Sequence, residues 1–292
     1  MHCVACDSSS ILNLGKIHIS EGCFKLENPG NLYSCSNCGI LFRHPYLSQA
    51  QLEQYYKSLQ SNLWEYQDRV EFKLAKQEIE MAFSSGKVLD VGCFRGDFLA
   101  TLSDGYQKYG TEFSDQARPV ARSQGITLVG TSIDDLPKND TYSAISLIDV
   151  IEHLINPVES LAKLSNLLDK GGVLVITTGN TRALPWRILK SEYWYLYPEH
   201  VTFFSKRWFD WLCQRSDLEI ISYKEFSHFR GYRRERIRQF VKCVVYGIYK
   251  RAPSGLKVVL DKMPLFSKVK GWKSAPVTNL MSDHLLVTMR KR

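Results

Sequence analysis

No stretch of the chain approaches the roughly 18 consecutive apolar residues that a membrane-spanning helix needs, which argues against an integral helical membrane protein. The opening residues, MHCVACDSSS, lack the apolar centre of a secretory signal, so the expected location is the cytoplasm. Internal repeats and low-complexity tracts are missing too, which sets aside solenoids and disordered tails. Acidic residues are scarce at one end only. Residues 227–292 hold 16 Lys and Arg against 3 Asp and Glu, a local +13, whereas residues 1–226 hold 22 and 27, a local −5. An anionic partner should therefore meet the C-terminal part.

Eight cysteines are present, and four of them form two C-x-x-C pairs, Cys3/Cys6 and Cys35/Cys38. Each pair sits on a turn that lets both sulfurs point at one tetrahedral ion, so the pattern favours metal over disulfides. All four ligand positions are protein thiolates, which implies a structural Zn2+ and no open catalytic site; His2, His18 and His44 are read as bystanders. Residues 1–45 are expected to form this zinc ribbon, closed by Pro45. Residues 46–84 follow as a helical linker, with SQAQLEQYYKSL and then Asn62–Phe83 as its helices.

From Lys87 onward short apolar runs alternate with helical segments: VLDVG, KYGTEF, ITLVG, AISLID and GGVLVITTGN read as strands. Alternation of this kind implies an α/β fold with a parallel sheet. A later helix, SKRWFDWLCQRS, is followed by the strands LEIISYKEF and HLLVTMRK.

Residues 88–99, VLDVGCFRGDFL, form a strand, a glycine turn and a helix start. A dinucleotide site would need glycines at 92, 94 and 97, but the chain has Gly92, Phe94 and Asp97. Gly92 and Gly96 instead lie four apart, Asp90 stands two before the first, and Glu112 ends the next strand 22 residues after Asp90. An acidic side chain at that strand tip accepts hydrogen bonds from ribose hydroxyls.

These segments resemble class I S-adenosylmethionine-dependent methyltransferases. The first motif is matched by VLDVGCFRGDFL, the second by YGTEFS, the fourth by ISLIDVIEHLINP and the fifth by LLDKGGVLVITTGN. The resemblance covers residues 85–226 and implies a Rossmann-like seven-stranded sheet with S-adenosylmethionine as cofactor. It places the methionine end of the cofactor near Asp90 and Gly92, the ribose on Glu112, and the adenine beside Phe113 and Ile133. Phe94, Gly96 and Asp149 complete the cofactor-binding set. Phe94 stands where the family more commonly has glycine.

Transfer of a methyl group from sulfur to a hydroxyl or carbon acid needs alignment and a base for the acceptor's proton. Two clusters supply candidates. DVIEH brings Asp149, Glu152 and His153 to the end of the fourth strand of the sheet; YLYPEHVTFFS offers Tyr197, Glu199 and His200 in the loop after the fifth. The second resembles the Tyr-x-Glu-His-x-x-x-Phe-Ser signature of sugar methyltransferases with an N-terminal zinc ribbon, which makes His200 the first choice of base and His153 the second. Trp186, Tyr193, Trp194 and Tyr195 either stack on a sugar or isoprenoid or fill a lid over the pocket.

Residues 227–282 form a basic insertion before the final strand, 283–292. Read as a helix, residues 231–251 set Ile237, Phe240, Val241, Val244, Val245 and Ile248 on one apolar stripe among Arg233, Arg234, Arg236, Arg238, Lys242, Lys250 and Arg251. Such a helix either lies on an anionic membrane, giving a peripheral location on its inner face, or packs as a lid. RNA is a weaker reading, because the stripe is aliphatic and offers no stacking platform. The expected function is methylation of a sugar hydroxyl or carbon in nucleotide-linked or lipid-linked glycan (surface polysaccharide) biosynthesis. An RNA methyltransferase and a noncatalytic zinc-ribbon adaptor are the alternatives.

Overall fold

A computed structural model describes residues 1–18, 28–48, 51–52, 55, 69–228, 231–272 and 274–292. The expected helix SQAQLEQYYKSL falls largely outside the described residues, and the second linker helix is seen as α1 (Val70–Ala82), with the residues before Arg69 outside them. Ala75 and Ile79 on its inner face pack into the core of the sheet.

The alternating segments form strands and helices in the expected sequence: β4 (Gly86–Val91), α2 (Asp97–Ala100), β5 (Tyr106–Thr111), α3 (Ala117–Ser123), β6 (Thr127–Gly130), β7 (Tyr142–Ile148), α4 (Pro157–Asn166) and β8 (Leu168–Gly179). After a long loop come α6 (Lys206–Cys213), β10 (Leu218–Phe226) and, near the end of the chain, β11 (His284–Lys291). The seven strands order as β10-β11-β8-β7-β4-β5-β6. β11 runs antiparallel to both neighbours, and the pairs from β8 to β6 are parallel. Strands covered on both faces read as continuous apolar runs, and Val173 to Ile176 of β8 are all fully buried.

From β4 the chain winds outward through β5 and β6, then returns to the other side of β4 as β7. The carboxyl ends of β4 and β7 therefore diverge into a crevice, the place where open sheets of this kind take ligands.

A second, four-stranded sheet holds the N-terminal cysteines. β1 (Ile11–Lys16), β2 (Asn31–Cys35) and β3 (Leu41–His44) form an antiparallel meander. Its fourth strand, β9 (Thr202–Phe203), comes from the loop after β8, with Leu41 opposite Phe203 and Phe42 opposite Thr202. That loop also carries α5 (Leu184–Leu189).

The basic segment folds as α7 (Arg233–Arg251), α8 (Ser254–Leu260) and α9 (Pro264–Ser267). α7 packs on α5 through Cys243 and Tyr246, and a Cβ on Gly247 would come 2.8 Å from Ile188. The single stripe expected from the sequence divides here: Val245 is buried, while Ile237, Val241 and Ile248 face away from the protein. Close packing selects the face with small and aromatic residues, which spacing alone does not distinguish from the aliphatic one. No helix among the described residues is long and apolar enough to cross a membrane.

Candidate active site

The turn after β4 is built on left-handed backbone. Gly92 has φ +69° and Gly96 φ +84°, and a Cβ on Gly96 would lie 2.7 Å from Ile126 Cγ1. Phe94 also takes a positive φ, +48°. The position where the related glycine turns have glycine thus keeps a glycine-like conformation at a cost of about 1–2 kcal/mol. A hydrogen bond holds it: the Phe94 N–H donates to Glu112 Oε2 at 2.7 Å, and the Ser114 N–H donates to Oε1 at 2.6 Å. Each oxygen of Glu112 keeps a second lone pair able to accept a further hydrogen bond. Asp90 is buried and accepts from Ser146 Oγ at 2.7 Å, and burial raises its carboxyl to about 7. Phe113 is exposed beside this turn, and Ile133 lies in a short 3-10 turn (Ile133–Asp135) packed on the core.

Beside it Asp149, with φ +54° at the tip of β7, pairs with Arg69 at the entry to α1. Arg69 also binds Glu71. From Glu71 a chain of contacts continues: His228 Nδ1 lies 3.1 Å from Glu71 Oε2, His228 Nε2 lies 2.8 Å from His284 Nε2, and His284 Nδ1 lies 3.0 Å from Asp283 Oδ2. Burial opposes charge on both Glu71 and His228, yet their pairing wins: Glu71 falls to about 2 and the His228 imidazolium is favoured.

Deeper in the crevice, Glu152, His153 and His200 converge, each offering a ligand atom within 4.8 Å of the others. The rings of His153 and His200 stand edge to face at 4.8 Å. Nδ1 of His200 lies 2.8 Å from the Tyr195 carbonyl oxygen; a neutral ring making this contact donates from Nδ1 and leaves Nε2 as the basic nitrogen. Burial, then the nearby His153, lowers His200 well below the usual histidine range, and burial takes His153 to about 4. Glu152 receives the hydroxyls of Tyr195 and Thr178, and burial raises it to about 8. Tyr197 stacks edge-on against His200 at 5.3 Å.

Glu199 turns the other way, toward Arg43 and Tyr55; burial raises its carboxyl while Tyr55 and Arg43 oppose that. Arg43, fully buried on β3, donates from Nη1 to the Pro198 carbonyl at 2.7 Å and from Nη2 to the Leu196 carbonyl at 2.9 Å. Its backbone N–H donates to Val201 at 2.8 Å, so the N-terminal sheet grips the LYPEHV loop from behind. Trp186, Tyr193 and Tyr195 are buried against one another as part of the core between the loop and α7.

The four N-terminal cysteines gather as their spacing suggests, with Cys3 Sγ 3.7 Å from Cys38 Sγ and Cys6 Sγ 3.5 Å from Cys35 Sγ. These separations are far longer than a disulfide bond. They fit the roughly 3.8 Å edge of a tetrahedron of thiolates around an ion at about 2.3 Å.

Sequence reasoning missed Arg69, Glu71, His228, His284 and Arg43. Arg69 and Glu71, and Asp283 and His284, are neighbours in sequence, but the contacts that gather them run 80 residues from Arg69 to Asp149, 157 from Glu71 to His228 and 155 from Arg43 to Pro198, and no local spacing announces those.

A protein family described as "Methyltransferase domain" matches residues 61–223, more than half of the 292 residues. No curated protein matches the chain. Among solved structures the chain is similar in fold to a SAM-dependent methyltransferase from Thermotoga maritima, at 14% identity over 76% of this chain and 89% of that one, with a TM-score of 0.48. It is likewise similar to the YcgJ protein of Bacillus subtilis, at 14% identity, 76% and 98% coverage and a TM-score of 0.49. A coclaurine N-methyltransferase bound to N-methylheliamine and SAH gives 16% identity, 76% and 72% coverage and a TM-score of 0.48. With a mixed seven-stranded sheet and a family match over its core, the chain belongs to the methyltransferase domain family and is an S-adenosylmethionine-dependent methyltransferase.

Proposed function

We propose that the protein methylates a hydroxyl or carbon of a sugar carried on a nucleotide or a lipid, with His200 as the base. The observation that carries this reading is the contact between His200 Nδ1 and the Tyr195 carbonyl. In the neutral ring it turns a basic Nε2 away from the backbone, in a crevice at the carboxyl ends of the strands. Tyr197 stands edge-on to His200, whereas Glu199, expected to assist it, points to Tyr55 and Arg43 and would act only by holding the loop; His153, also edge-on to His200, is the second candidate.

When bound, the cofactor would supply a methyl group on a sulfonium. Glu112 would hold the ribose, Phe113 and Ile133 the adenine, and Asp90, Gly92, Phe94, Gly96 and Asp149 would line the remainder. Gly92 matters because any side chain there would press on Val150, at 3.0 Å, in a left-handed backbone. Cys3, Cys6, Cys35 and Cys38 would hold a structural Zn2+, and residues 1–45 would serve as scaffold for the acceptor loop. His200 Nε2 would take the proton released by the acceptor as the new bond to the methyl carbon forms.

Replacing His200 by Ala should lower turnover of a sugar acceptor by about 10²–10⁴-fold while calorimetry with S-adenosylmethionine shows unchanged affinity. Full activity in that variant would transfer the role to His153. Glu112→Ala should weaken cofactor binding; unaltered affinity would remove the ribose assignment. Detection of the added methyl on RNA instead of on a sugar would replace the acceptor class.

A further inference from the structure

Ile237, Val241 and Ile248 of α7 are 53%, 39% and 47% exposed. At about 100° per residue they fall within roughly 40° of one another, on the side of the helix some 140–160° from Cys243 and Tyr246, which pack on α5. The next two helices repeat the pattern, with Val258, Val259 and Leu265 at 61%, 57% and 54% exposed, while Leu260 and Phe266 face inward. Exposed aliphatic side chains recur on three successive helices of one segment, which is more than the single scattered apolar residues of a monomer's surface.

The charge around them has one sign. Residues 231–272 hold 11 Lys and Arg and only two acids. Both acids are engaged: Glu235 receives the Tyr232 N–H at 3.0 Å, and Asp261 receives the Tyr249 hydroxyl at 2.8 Å and Lys270 Nζ at 3.0 Å. On the helical wheel Arg234 and Arg238 flank the aliphatic stripe on one side, Arg233 and Arg251 on the other. A second copy of this face would bring cations against cations, and a nucleic acid would leave the aliphatic side chains in water. An anionic bilayer satisfies both features, taking the cations at its headgroups and the aliphatic tips at the acyl boundary.

We propose that the outer face of α7, α8 and α9 docks on an anionic lipid bilayer. α7 starts five residues after His228, whose ring contacts Glu71 and His284. The surface stands apart from the sugar assignment; only its use, meeting a lipid-linked acceptor, rests on that reading.

The test is co-sedimentation of the full chain with phosphatidylcholine vesicles made with and without phosphatidylglycerol. Binding should require phosphatidylglycerol. The exposed pair Ile237→Asp and Ile248→Asp, and separately Arg234→Glu with Arg238→Glu, should each reduce the bound fraction by about tenfold or more at an unchanged thermal midpoint. Calorimetry with S-adenosylmethionine should give the same affinity in all variants, which keeps a failure here separate from a failure of the sugar reading. Three results would overturn the proposal: no binding to phosphatidylglycerol vesicles, equal binding to neutral vesicles, or binding that the aspartate pair leaves intact. Displacement of the vesicles by RNA together with the last of these would make the face a nucleic-acid surface.

Discussion

His200 and Glu152, two groups a few ångströms apart, are both held in their neutral forms by burial, and the consequences for pH run in opposite directions. Burial and the neighbouring His153 lower His200 well below 6.5, so its basic nitrogen stays available through the neutral range. The pH profile of kcat/KM should therefore show no acid limb near 6.5; a limb there would mean another group is the base. His153, at about 4, binds its proton less readily folded than unfolded, so its contribution to stability is full above pH 6.5 and is lost as the pH falls toward 4. Glu152 behaves inversely. Burial raises it to about 8, so the folded state holds a proton the unfolded chain releases, and that stabilisation is lost as the pH rises from about 4.5 toward 8. Replacing Glu152 by Gln keeps the Tyr195 and Thr178 contacts and removes the titration, so thermal melts at pH 8 should show a gain of about 1–2 kcal/mol over the parent that shrinks toward pH 5. At this scale the sequence was legible where the geometry of the turn depends on short spacing: Gly92, Gly96 and Glu112 lie within 21 positions of one another. It was silent on the left-handed backbone of Phe94, because what stabilises it is a carboxylate 18 residues on.

The strand pair β3/β9 shows why whole elements were easier to foresee than their joints. Each strand of the large sheet announces itself as an apolar run, but a two-residue strand such as Thr202–Phe203 has no period to read. Its place is set by a partner, β3, and by Arg43, whose guanidinium ties the carbonyls of Leu196 and Pro198 in the same loop. Replacing Arg43 by Met would leave the Leu196 and Pro198 carbonyls without their charged donor inside the protein. A loss of about 2–4 kcal/mol in denaturant unfolding is expected. In the same variant turnover should fall more than cofactor affinity, because the loop that carries His200 is loosened while the β4 turn is untouched. Equal losses in both would show that Arg43 acts only on general stability.

For the whole molecule, the charge division read from the sequence carries over to the basic helices, and the two cysteine pairs do meet. How the N-terminal sheet joins the methyltransferase sheet was not readable, since it depends on contacts across more than 150 residues. If Zn2+ ties the four sulfurs, a strong chelator should lower the melting temperature and unsettle the acceptor loop, leaving the cofactor turn in place. Turnover should then be lost before S-adenosylmethionine affinity is. A melting temperature that ignores both chelator and added Zn2+ would remove the metal from the structure's support.

The shared strand also imposes an order on how the protein is made. When Arg43 is added to the growing chain, the carbonyls it will bind are 153 and 155 residues from being synthesised, about 10–30 s at ordinary rates of translation. The N-terminal meander must wait for that interval with a buried-to-be guanidinium still in water and one sheet edge open. Its cysteine cluster is complete by residue 38 and its three local strands by residue 44, so both are able to close early. The local knot of sulfur would thus close first, and the strands beside it would be fastened later to the loop after β8.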